Sequence, residues 1–362
     1  MRIAFFGSSL VSAYWNGAAT YYRGMIRALA LRGHRIVFFE PDAWDRQKHR
    51  DIEDPEWAHV VVYPADENGV ADALEQAYGS DLIVKASGVG VFDSLLESVI
   101  PGMKNSSNLV AFWDVDAPAT LDRVQNNPGD PFGPQIPRFD VVFTYGGGDP
   151  VVNAYKALGA ADCIPVYNAL DPETHFPVQP DSRFDADLAF LGNRLPDRER
   201  RVEQFFLEPA VRLPEKRFVL GGAGWGDKPM SANVKYFDHV YTYDHNAFNS
   251  TPRAVINISR DSMARYGFSP ATRVFEAAGA GACLLTDAWE GVETFFEPGR
   301  EILVAASTEE VIDHVCSLTP ARSRELGEAA RRRALAEHTY AHRAELVEQV
   351  LEGKQQTVGA AR

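Results

Sequence analysis

The chain has 362 residues, of which 45% are hydrophobic and 24% are charged, a composition typical of folded globular proteins and not of disordered or fibrous ones. Because a domain typically has about 150 residues, this length predicts two domains. With 36 Lys and Arg against 50 Asp and Glu, the formal net charge is −14. Such a charge repels a phosphate backbone or an anionic membrane, so we expect no nucleic-acid partner.

The sequence contains no apolar run near the roughly 20 residues that a membrane-spanning helix needs. Residues 1–10 also lack the charged, apolar and cleavage regions of a secretory signal. We therefore expect a cytoplasmic protein without an integral membrane segment. Cys163, Cys283 and Cys316 are widely spaced and form no CxxC pair, so the sequence indicates neither a disulfide framework nor a zinc site.

Short apolar runs alternate with amphipathic segments through the first half of the chain. The run 3–6 is typical of a buried parallel strand, and a helix over 18–31 is predicted to end before Gly33. The other predicted elements of this half are strands at 36–40, 60–63, 82–84, 109–113 and 141–143 and helices at 70–78 and 92–100. This alternation predicts a parallel sheet covered by helices on both faces.

The pattern stops at residues 168–177, which are rich in breakers and have no period, so we place the interdomain linker there. A second alternation then begins. Its predicted elements are strands at 186–191, 217–220, 255–258, 283–286 and 302–304, helices at 197–206 and 270–279, and further helices within 308–351.

These patterns predict an α/β protein with two Rossmann-like domains, 1–170 and 171–335, that face each other across a cleft. Residues 336–362 complete the chain with a C-terminal helix, for which a return to the first domain is one option. The tail from residue 353 has too few apolar residues to pack, so we expect it to be mobile.

Open parallel sheets bind ligands where their strands end, because loops and helix N-termini point outward there. A dinucleotide-binding oxidoreductase would carry GxGxxG directly after its first strand. Residues 7–11 contain a single glycine, Gly7. The sequence therefore argues against nicotinamide or flavin chemistry.

The most informative stretch is 269–281. Ser269 is predicted to cap a helix whose first residue is Pro270, and such a helix start favours a bound phosphate. Arg273 and Glu276 are three residues apart and share a helix face, where the carboxylate could accept hydrogen bonds from vicinal hydroxyls. A capped amphipathic helix with a surface ion pair between these two residues is an equally good interpretation.

Several motifs together resemble the GT-B glycosyltransferases, and more narrowly the group named after the spore maturation protein CgeB. The motifs are 269–277, 289–291, 296–299 and 301–304 in the second half and 112–118 and 145–148 in the first. The resemblance covers most of residues 1–350. It implies an enzyme of the hexosyltransferase type that takes a sugar from a nucleotide-diphosphate sugar, with an acceptor-side first domain and a donor-binding second domain.

The resemblance also implies that basic groups and helix N-termini of the second domain hold the donor diphosphate. The expected donor-binding residues are Arg194, Arg198, Ser269, Thr272, Arg273, Glu276 and Glu293. For the first two, a solvated mixed-charge face is the alternative. Retaining relatives carry two glutamates eight positions apart; Glu276 matches the second, but Phe268 stands at the first. This departure leaves the sugar and the stereochemical outcome open.

Glycosyl transfer requires a group that deprotonates the acceptor and positive charge that stabilises the leaving diphosphate. The candidates for the base are Asp114 and Asp116, which follow a predicted strand, and then Asp93. Asp114 and Asp116 also form a DxD pattern, which holds a divalent metal in a different glycosyltransferase fold. A three-residue pattern is weak evidence, so we expect neither a metal nor another cofactor.

Two other functions are compatible with the same features. A sugar-nucleotide epimerase can share this two-domain fold, and it would change the sugar of the nucleotide without any acceptor. A non-catalytic nucleotide-sugar-binding protein would explain the absence of the first glutamate. Glycosyl transfer to an unknown acceptor is our first hypothesis.

Overall fold

The structure, a computed structural model, describes residues 1–14 and 16–360 and divides into two compact domains. One domain combines Met1–Tyr167 with the segment that begins at Tyr340, and the other is Asn168–Thr339. The sequence predicts domain boundaries at residues 170 and 335, a few residues from the points at which the chain passes from one domain to the other.

Strands and helices alternate in both domains. The strands are β1 Arg2–Phe6, β2 Arg35–Asp42, β3 His59–Pro64, β4 Leu82–Ala86, β5 Leu109–Asp114, β6 Val141–Thr144, β7 Cys163–Pro165, β8 Leu188–Leu191, β9 Phe218–Gly221, β10 Val234–Phe237, β11 Val255–Asn257, β12 Leu284–Asp287 and β13 Leu303–Ala305. The helices are α1 Ala19–Leu31, α2 Glu67–Ala77, α3 Asp93–Val99, α4 Ala117–Asn126, α5 Gly148–Ala157, α6 Glu199–Val202, α7 Glu208–Arg212, α8 His245–Ser250, α9 Asp261–Tyr266, α10 Thr272–Gly279, α11 Thr308–Ser317, α12 Pro320–Glu337 and α13 Tyr340–Ala360. Within residues 1–14 and 16–360, no helix combines the length and apolarity that crossing a bilayer requires.

The first domain is built on a seven-stranded sheet in the order β3-β2-β1-β4-β5-β6-β7, and its strands pair in parallel. Every residue of β5 is buried, as expected for a central strand covered on both faces. The order of strands reverses between β1 and β4. The loops after these two strands therefore border the crevice where an open α/β sheet binds its ligands.

The C-terminal helix α13 belongs to the first domain because it packs on α1. The ring of Tyr340 fills the space beside Gly24, where an added Cβ would lie 2.2 Å from two ring carbons. Glu348 accepts hydrogen bonds from Arg32 at 2.5 Å and pairs with His34 at 2.8 Å. The helix continues to Ala360, so residues 353–360 are helical where the sequence predicts a tail without structure. Good helix formers such as Lys354 extend a helix without an apolar face; residues 361 and 362 of that predicted tail lie outside the described residues.

The second domain is built on a six-stranded parallel sheet in the order β10-β9-β8-β11-β12-β13. One face packs a large apolar cluster that includes Phe190, Phe206 and Trp225, and the other packs a smaller cluster around Phe248. The order reverses between β8 and β11, so the loops after these strands border the second ligand crevice.

The sequence pattern does not predict the short strands β7 and β10. Each lies at an edge of its sheet and is only partly buried, so its apolar pattern is weak. The other strands overlap their predicted positions. Most of them have apolar runs buried on both faces, whereas the edge strands β3 and β13 are partly exposed but still carry apolar runs.

The packing of α13 on α1 gives a test of the first domain. Gly24→Ala would force the buried ring of Tyr340 to move, so we expect the free energy of unfolding to fall by about 1–3 kcal/mol. Gly353→Ala is the matched control, because at this exposed helix position no described atom outside the adjacent helix backbone lies within 4 Å of the added methyl group. For Gly353→Ala we expect the free energy of unfolding to rise by about 0.5–1 kcal/mol. Urea unfolding followed by circular dichroism measures both changes, and a harmless Gly24→Ala would contradict this packing.

Candidate functional site

Two arginine side chains converge at the ligand crevice of the second domain. Arg198 follows β8 and Arg273 lies in the first turn of α10, and their guanidinium carbons lie 5.7 and 5.4 Å from the centre of the same ring, that of Phe190. The Nη2 atoms of both arginines lie 3.0 Å from the point that a Cβ on Gly192 would occupy. The two cations therefore share one small region at the end of β8.

No carboxylate of the described residues forms an ion pair with either arginine, although the charge of Asp287 acts to raise the pKa of both and that of Glu276 acts to raise the pKa of Arg273. Arg198 is 8% exposed and donates through Nη2 to the carbonyl of Asn193. Among the described residues, Nε of Arg198 and both Nε and Nη1 of Arg273 are buried without a hydrogen-bond partner. Burial lowers the pKa of both arginines, and the charge of Arg273 lowers the pKa of Arg198 further. Buried cations with unpaired donors are costly, and a bound anion would remove that cost.

The loop beneath the arginines has no room for larger residues. The carbonyl of Gly192 accepts a hydrogen bond from Nε1 of Trp225 at 2.8 Å. Gly222 has φ of 126°, and a Cβ on it would lie 2.4 Å from the oxygen of Gly192. Glycine is required at Gly222 for this close approach of two loops. Sequence analysis did not find the roles of Trp225 and Phe190, since buried aromatics carry no local signal of function.

The start of α10 differs from the prediction. The helix begins at Thr272 with the extended residue Ala271 at its N-cap, so the prediction of Ser269 as cap and Pro270 as first helical residue is wrong. The hydroxyl of Ser269 instead donates to the carbonyl of Gly267 at 2.8 Å, within the loop, and cannot reach the helix amides.

Asn168, the first residue of the second domain, fixes the start of α10. Its side-chain amide donates to the carbonyl of Pro270 at 3.0 Å and accepts from the hydroxyl of Thr272 at 2.9 Å. The predicted donor-binding hydroxyl of Thr272 is thus engaged inside the protein. Sequence analysis saw Asn168 only as the start of a linker, because its partners lie about 100 residues away.

Glu276 lies one turn after Arg273 on α10. One of its carboxylate oxygens is 3.8 Å from Nε2 of His175, whose Nδ1 lies 2.9 Å from the hydroxyl of Thr174. His245 is a further neighbour: burial lowers the pKa of His245, and the negative charge of Glu276 opposes that shift. The structure therefore places a partly buried carboxylate between two histidines and near the arginine pair.

The remaining predicted donor residues have other surroundings. Arg194 is bound by Glu199 at 2.8 Å and by Asp227 at 2.8 Å, and these hydrogen bonds raise the pKa of Arg194. Its charge is already compensated, unlike that of Arg198. Glu293 is exposed in the turn Val292–Thr294.

Phe268 occupies the position at which retaining relatives carry a glutamate. Its φ of 45° is unusual for a residue other than glycine. Its amide donates to the carbonyl of Glu290 at 2.6 Å, and its ring lies within 2.2 Å of the point a Cβ on Gly291 would take. The loop before α10 is thus held by packing where the relatives place a carboxylate.

The predicted bases lie in the first domain, where two of them have clear structural roles. Asp114 is completely buried; it accepts hydrogen bonds from the amide of Asp116, the hydroxyl of Thr120 and the phenol of Tyr155, and burial raises its pKa. Its contacts anchor the turn between β5 and α4. Asp116 is half-buried at the N-cap of α4.

Asp93 begins α3 and binds the ammonium of the buried Lys85 at 2.5 Å. It also accepts from the amides of Val89 at 3.1 Å and Gly90 at 2.8 Å. Burial alone would raise the pKa of Asp93, but Lys85 and the two amides lower it. A carboxylate with a low pKa is a weak base, so this geometry favours a structural role; the catalytic assignments of Asp93, Asp114 and Asp116 stay predictions.

Comparison with known proteins gives a family match and a fold. Residues 198–349 match the model of a family described as glycosyl transferase-like. No curated protein matches the chain. The matched segment contains Arg198, Arg273 and Glu276. No set of three or more His, Cys, Asp and Glu side chains in the described part of the chain is placed to hold a metal ion.

Solved structures match over the whole chain. Sucrose-phosphate synthase from Thermosynechococcus elongatus aligns with a TM-score of 0.73 at 13% identity and covers 100% of both chains. Anabaena Alr3699/HepE in complex with UDP-glucose aligns at 0.67 and 12% identity, over 98% of this chain and 100% of that one. An α-glucosyltransferase in complex with UDP aligns at 0.69 and 13% identity, over 97% and 100%. The two-domain α/β fold of GT-B type is therefore confirmed, and residues 198–349 are similar to a glycosyl transferase-like family.

The crowded loop at Gly192 predicts a selective effect on anion binding. In Gly192→Ala the added methyl group displaces the ends of Arg198 and Arg273, which are flexible, so we expect little loss of stability but at least tenfold weaker binding of inorganic pyrophosphate, about 1.4 kcal/mol. Gly226→Ala, in the same loop region with its nearest atom at 3.7 Å, is the control and should bind normally. Isothermal titration calorimetry measures both. Unchanged binding by Gly192→Ala would exclude this region as the anion site.

Proposed function

We propose that this protein is a glycosyltransferase that takes its sugar from a uridine diphosphate sugar and that Arg198 and Arg273 bind the donor diphosphate. The observation that carries the proposal is the convergence of two guanidinium groups on Gly192, with buried N–H groups that lack partners among the described residues. A diphosphate offers two adjacent anionic groups, and the planar guanidinium forks match phosphate oxygens in pairs. The same positive charge would stabilise the leaving diphosphate as the sugar is transferred.

Two further observations support a nucleotide as the donor's leaving group. Glu276 lies one helical turn from Arg273, where a carboxylate can accept two hydrogen bonds from the vicinal hydroxyls of a ribose. One structural neighbour was solved in complex with UDP-glucose and another with UDP, which supports uracil as the base. The diphosphate and the ribose would thus be bound by one short helix and the loop after β8.

The proposal needs no metal or other cofactor, because the arginine pair supplies the positive charge that a divalent ion supplies in metal-dependent transferases. Turnover in the presence of EDTA, equal to that without it, is the expected result. A requirement for Mg²⁺ or Mn²⁺ would contradict this part of the proposal.

The proposal has three narrower parts that rest on the sequence. The motifs around Arg273 support membership of the CgeB group, the protein acts in the cytoplasm, and the net charge of −14 argues against a nucleic-acid partner. The last part has a specific competitor, since one structural neighbour is an α-glucosyltransferase in complex with UDP and a 13-mer DNA.

Incubation with UDP-sugars separates the candidate functions. A transferase releases UDP slowly by hydrolysis when the donor is alone and faster when a suitable acceptor is added. An epimerase changes the sugar and releases no UDP, whereas a binding protein does neither. Chromatography of UDP and of the sugar nucleotides distinguishes the three outcomes, and conversion of the sugar without UDP release would contradict the proposal.

Replacing Arg198 should weaken UDP binding without lowering the stability of the protein in the absence of ligand. Arg198→Met retains much of the packing on Phe190 but removes a desolvated cation beside Arg273, so we expect the melting temperature of the protein without ligand to stay equal or to rise. UDP at about 100 times its Kd should stabilise the wild type by about 2.7 kcal/mol but should stabilise this variant far less. Differential scanning fluorimetry with and without UDP measures both effects.

Arg194→Met is the matched control, since Arg194 is partly exposed and already paired with Glu199 and Asp227. Loss of such pairs costs at most about 1 kcal/mol, and stabilisation by UDP should persist. Loss of the UDP effect in Arg194→Met, together with its persistence in Arg198→Met, would contradict the proposal, because Arg194 would then be the arginine that binds the diphosphate.

The ribose contact gives a separate prediction. Glu276→Gln should weaken UDP binding by about 10- to 150-fold through loss of a charged hydrogen-bond acceptor, worth about 1.5–3 kcal/mol. Binding of inorganic pyrophosphate, which has no ribose, should not change. Glu293→Gln, at an exposed position in the same domain, should change neither. Calorimetric titration with both ligands is the measurement, and an equal loss of both ligands from Glu276→Gln would argue for a structural role.

A further inference from the structure

The ligand crevice of the first domain is also built around a buried arginine. Arg46, in the turn after β2, is 6% exposed and donates through Nη1 to the carbonyl of Ser8 at 3.0 Å and to that of Val89 at 3.2 Å. Ser8 follows β1 and Val89 follows β4, the two strands between which the order reverses. Arg46 therefore joins the two loops that border the crevice.

The guanidinium group of Arg46 has one further N–H donor that these hydrogen bonds do not use. Nε of Arg46 is buried without a hydrogen-bond partner among the described residues, and burial lowers the pKa of Arg46. The loop after β4 is also held from below, because Asp93 accepts from the amides of Val89 and Gly90. Arg46 and Asp93 thus hold the two loops that border the crevice.

The same turn presents an exposed indole from a strained backbone. Trp44 and Asp45 have φ of 60° and 55°, in the left-handed region that costs residues other than glycine about 1–3 kcal/mol each. Trp44 is nevertheless 61% exposed. Its Nε1 lies 2.9 Å from the point that a Cβ on Gly90 would take, so the indole lies against the loop after β4. The fold bears this strain and leaves most of the indole surface in contact with water.

A second aromatic group is held by the same turn. The rings of Tyr14 and His49 stack with centroids 3.9 Å apart, and Nδ1 of His49 lies 2.9 Å from the carbonyl of Asp45. The hydroxyl of Ser12 donates to the carbonyl of His49 at 2.8 Å. Tyr14 is 40% exposed. The loop after β1 and the turn after β2 together carry exposed aromatic surface at the end of the sheet where ligands bind.

We propose that this crevice binds the acceptor and that Trp44 stacks on an apolar ring face of it, which the structure assigns to a carbohydrate or a phenol. This inference rests on the proposed transferase function. Large aromatic side chains supply apolar contact with ring faces, and a ligand site combines such surface with a few fixed polar groups. In this crevice the backbone of the two joined loops supplies the polar groups. The strain at Trp44 is then explained, because it places the indole where a ring can contact it.

The test uses the strained position itself. Trp44→Gly removes the indole and relieves the left-handed strain, so we expect an equal or higher melting temperature together with loss of acceptor use. Asp45→Gly relieves the neighbouring strain and keeps the indole, so it is the matched control. UDP binding, which belongs to the second domain, should be unchanged in both variants.

The probes are UDP-glucose as donor and two sets of acceptors. The carbohydrate set is methyl α-glucoside, methyl β-glucoside, maltose and cellobiose, and the phenol set is 4-methylumbelliferone and tyrosine methyl ester. We expect one set to accelerate UDP release by the wild type and by Asp45→Gly. In Trp44→Gly the same acceleration should need at least about tenfold more acceptor.

Fluorine NMR of protein labelled with 5-fluorotryptophan completes the experiment, with the Trp44 signal assigned from its absence in Trp44→Gly. An active acceptor should shift or broaden this signal. Equal acceleration of Trp44→Gly and the wild type would overturn the inference, as would the absence of both acceleration and any change in the Trp44 signal with every compound. Loss of UDP binding by the wild type would instead overturn the proposed function, so the two failures are distinguishable.

Discussion

Two like charges, those of the buried Arg198 and the half-buried Arg273, lie against one phenylalanine ring at the end of β8, and the proposed donor site depends on how they are compensated. Nε of Arg198 and both Nε and Nη1 of Arg273 are buried without a partner among the described residues, whereas Arg194 is paired with Glu199 and Asp227. A protein bears such a cost where a ligand later removes it. Gly192, Gly222 and Trp225 shape this loop, and they leave room for both guanidinium groups beside it.

The two domains solve the same problem with the same residue type. Each places a buried arginine at the point where the order of strands reverses, Arg46 in the first sheet and Arg198 in the second, and each arginine retains a buried Nε without a partner among the described residues. The difference lies in the second donor group. Nη1 of Arg46 donates to two backbone carbonyls and so fixes the loops that border a crevice, whereas Arg198 lies beside a second cation, Arg273. The first arrangement suits the neutral ring that we propose as acceptor, and the second suits the diphosphate that we propose as part of the donor.

Much of the fold could be predicted from the sequence, because buried parallel strands are recorded as apolar runs and their alternation with helices dictates the sheet. The edge strands β7 and β10 could not, since half-exposed strands leave a weak pattern. The start of α10 was placed two residues early, because a Ser-Pro pair is a common helix start and only the three-dimensional structure shows that the hydroxyl of Ser269 serves Gly267.

The candidate site was only partly predictable. Arg198, Arg273 and Glu276 carry signals of position after strands and along a helix, but local sequence does not distinguish Arg198 from Arg194; that distinction depends on Asp227 and Glu199, which happen to fold onto one arginine and not the other. Asn168 and Arg46 act through residues distant in sequence or through backbone carbonyls.

The most direct test of the central claim is a crystal structure of the protein with UDP. The account predicts phosphate oxygens within hydrogen-bonding distance of both Arg198 and Arg273; a diphosphate bound elsewhere, with these two side chains unchanged and still unpaired, would contradict it.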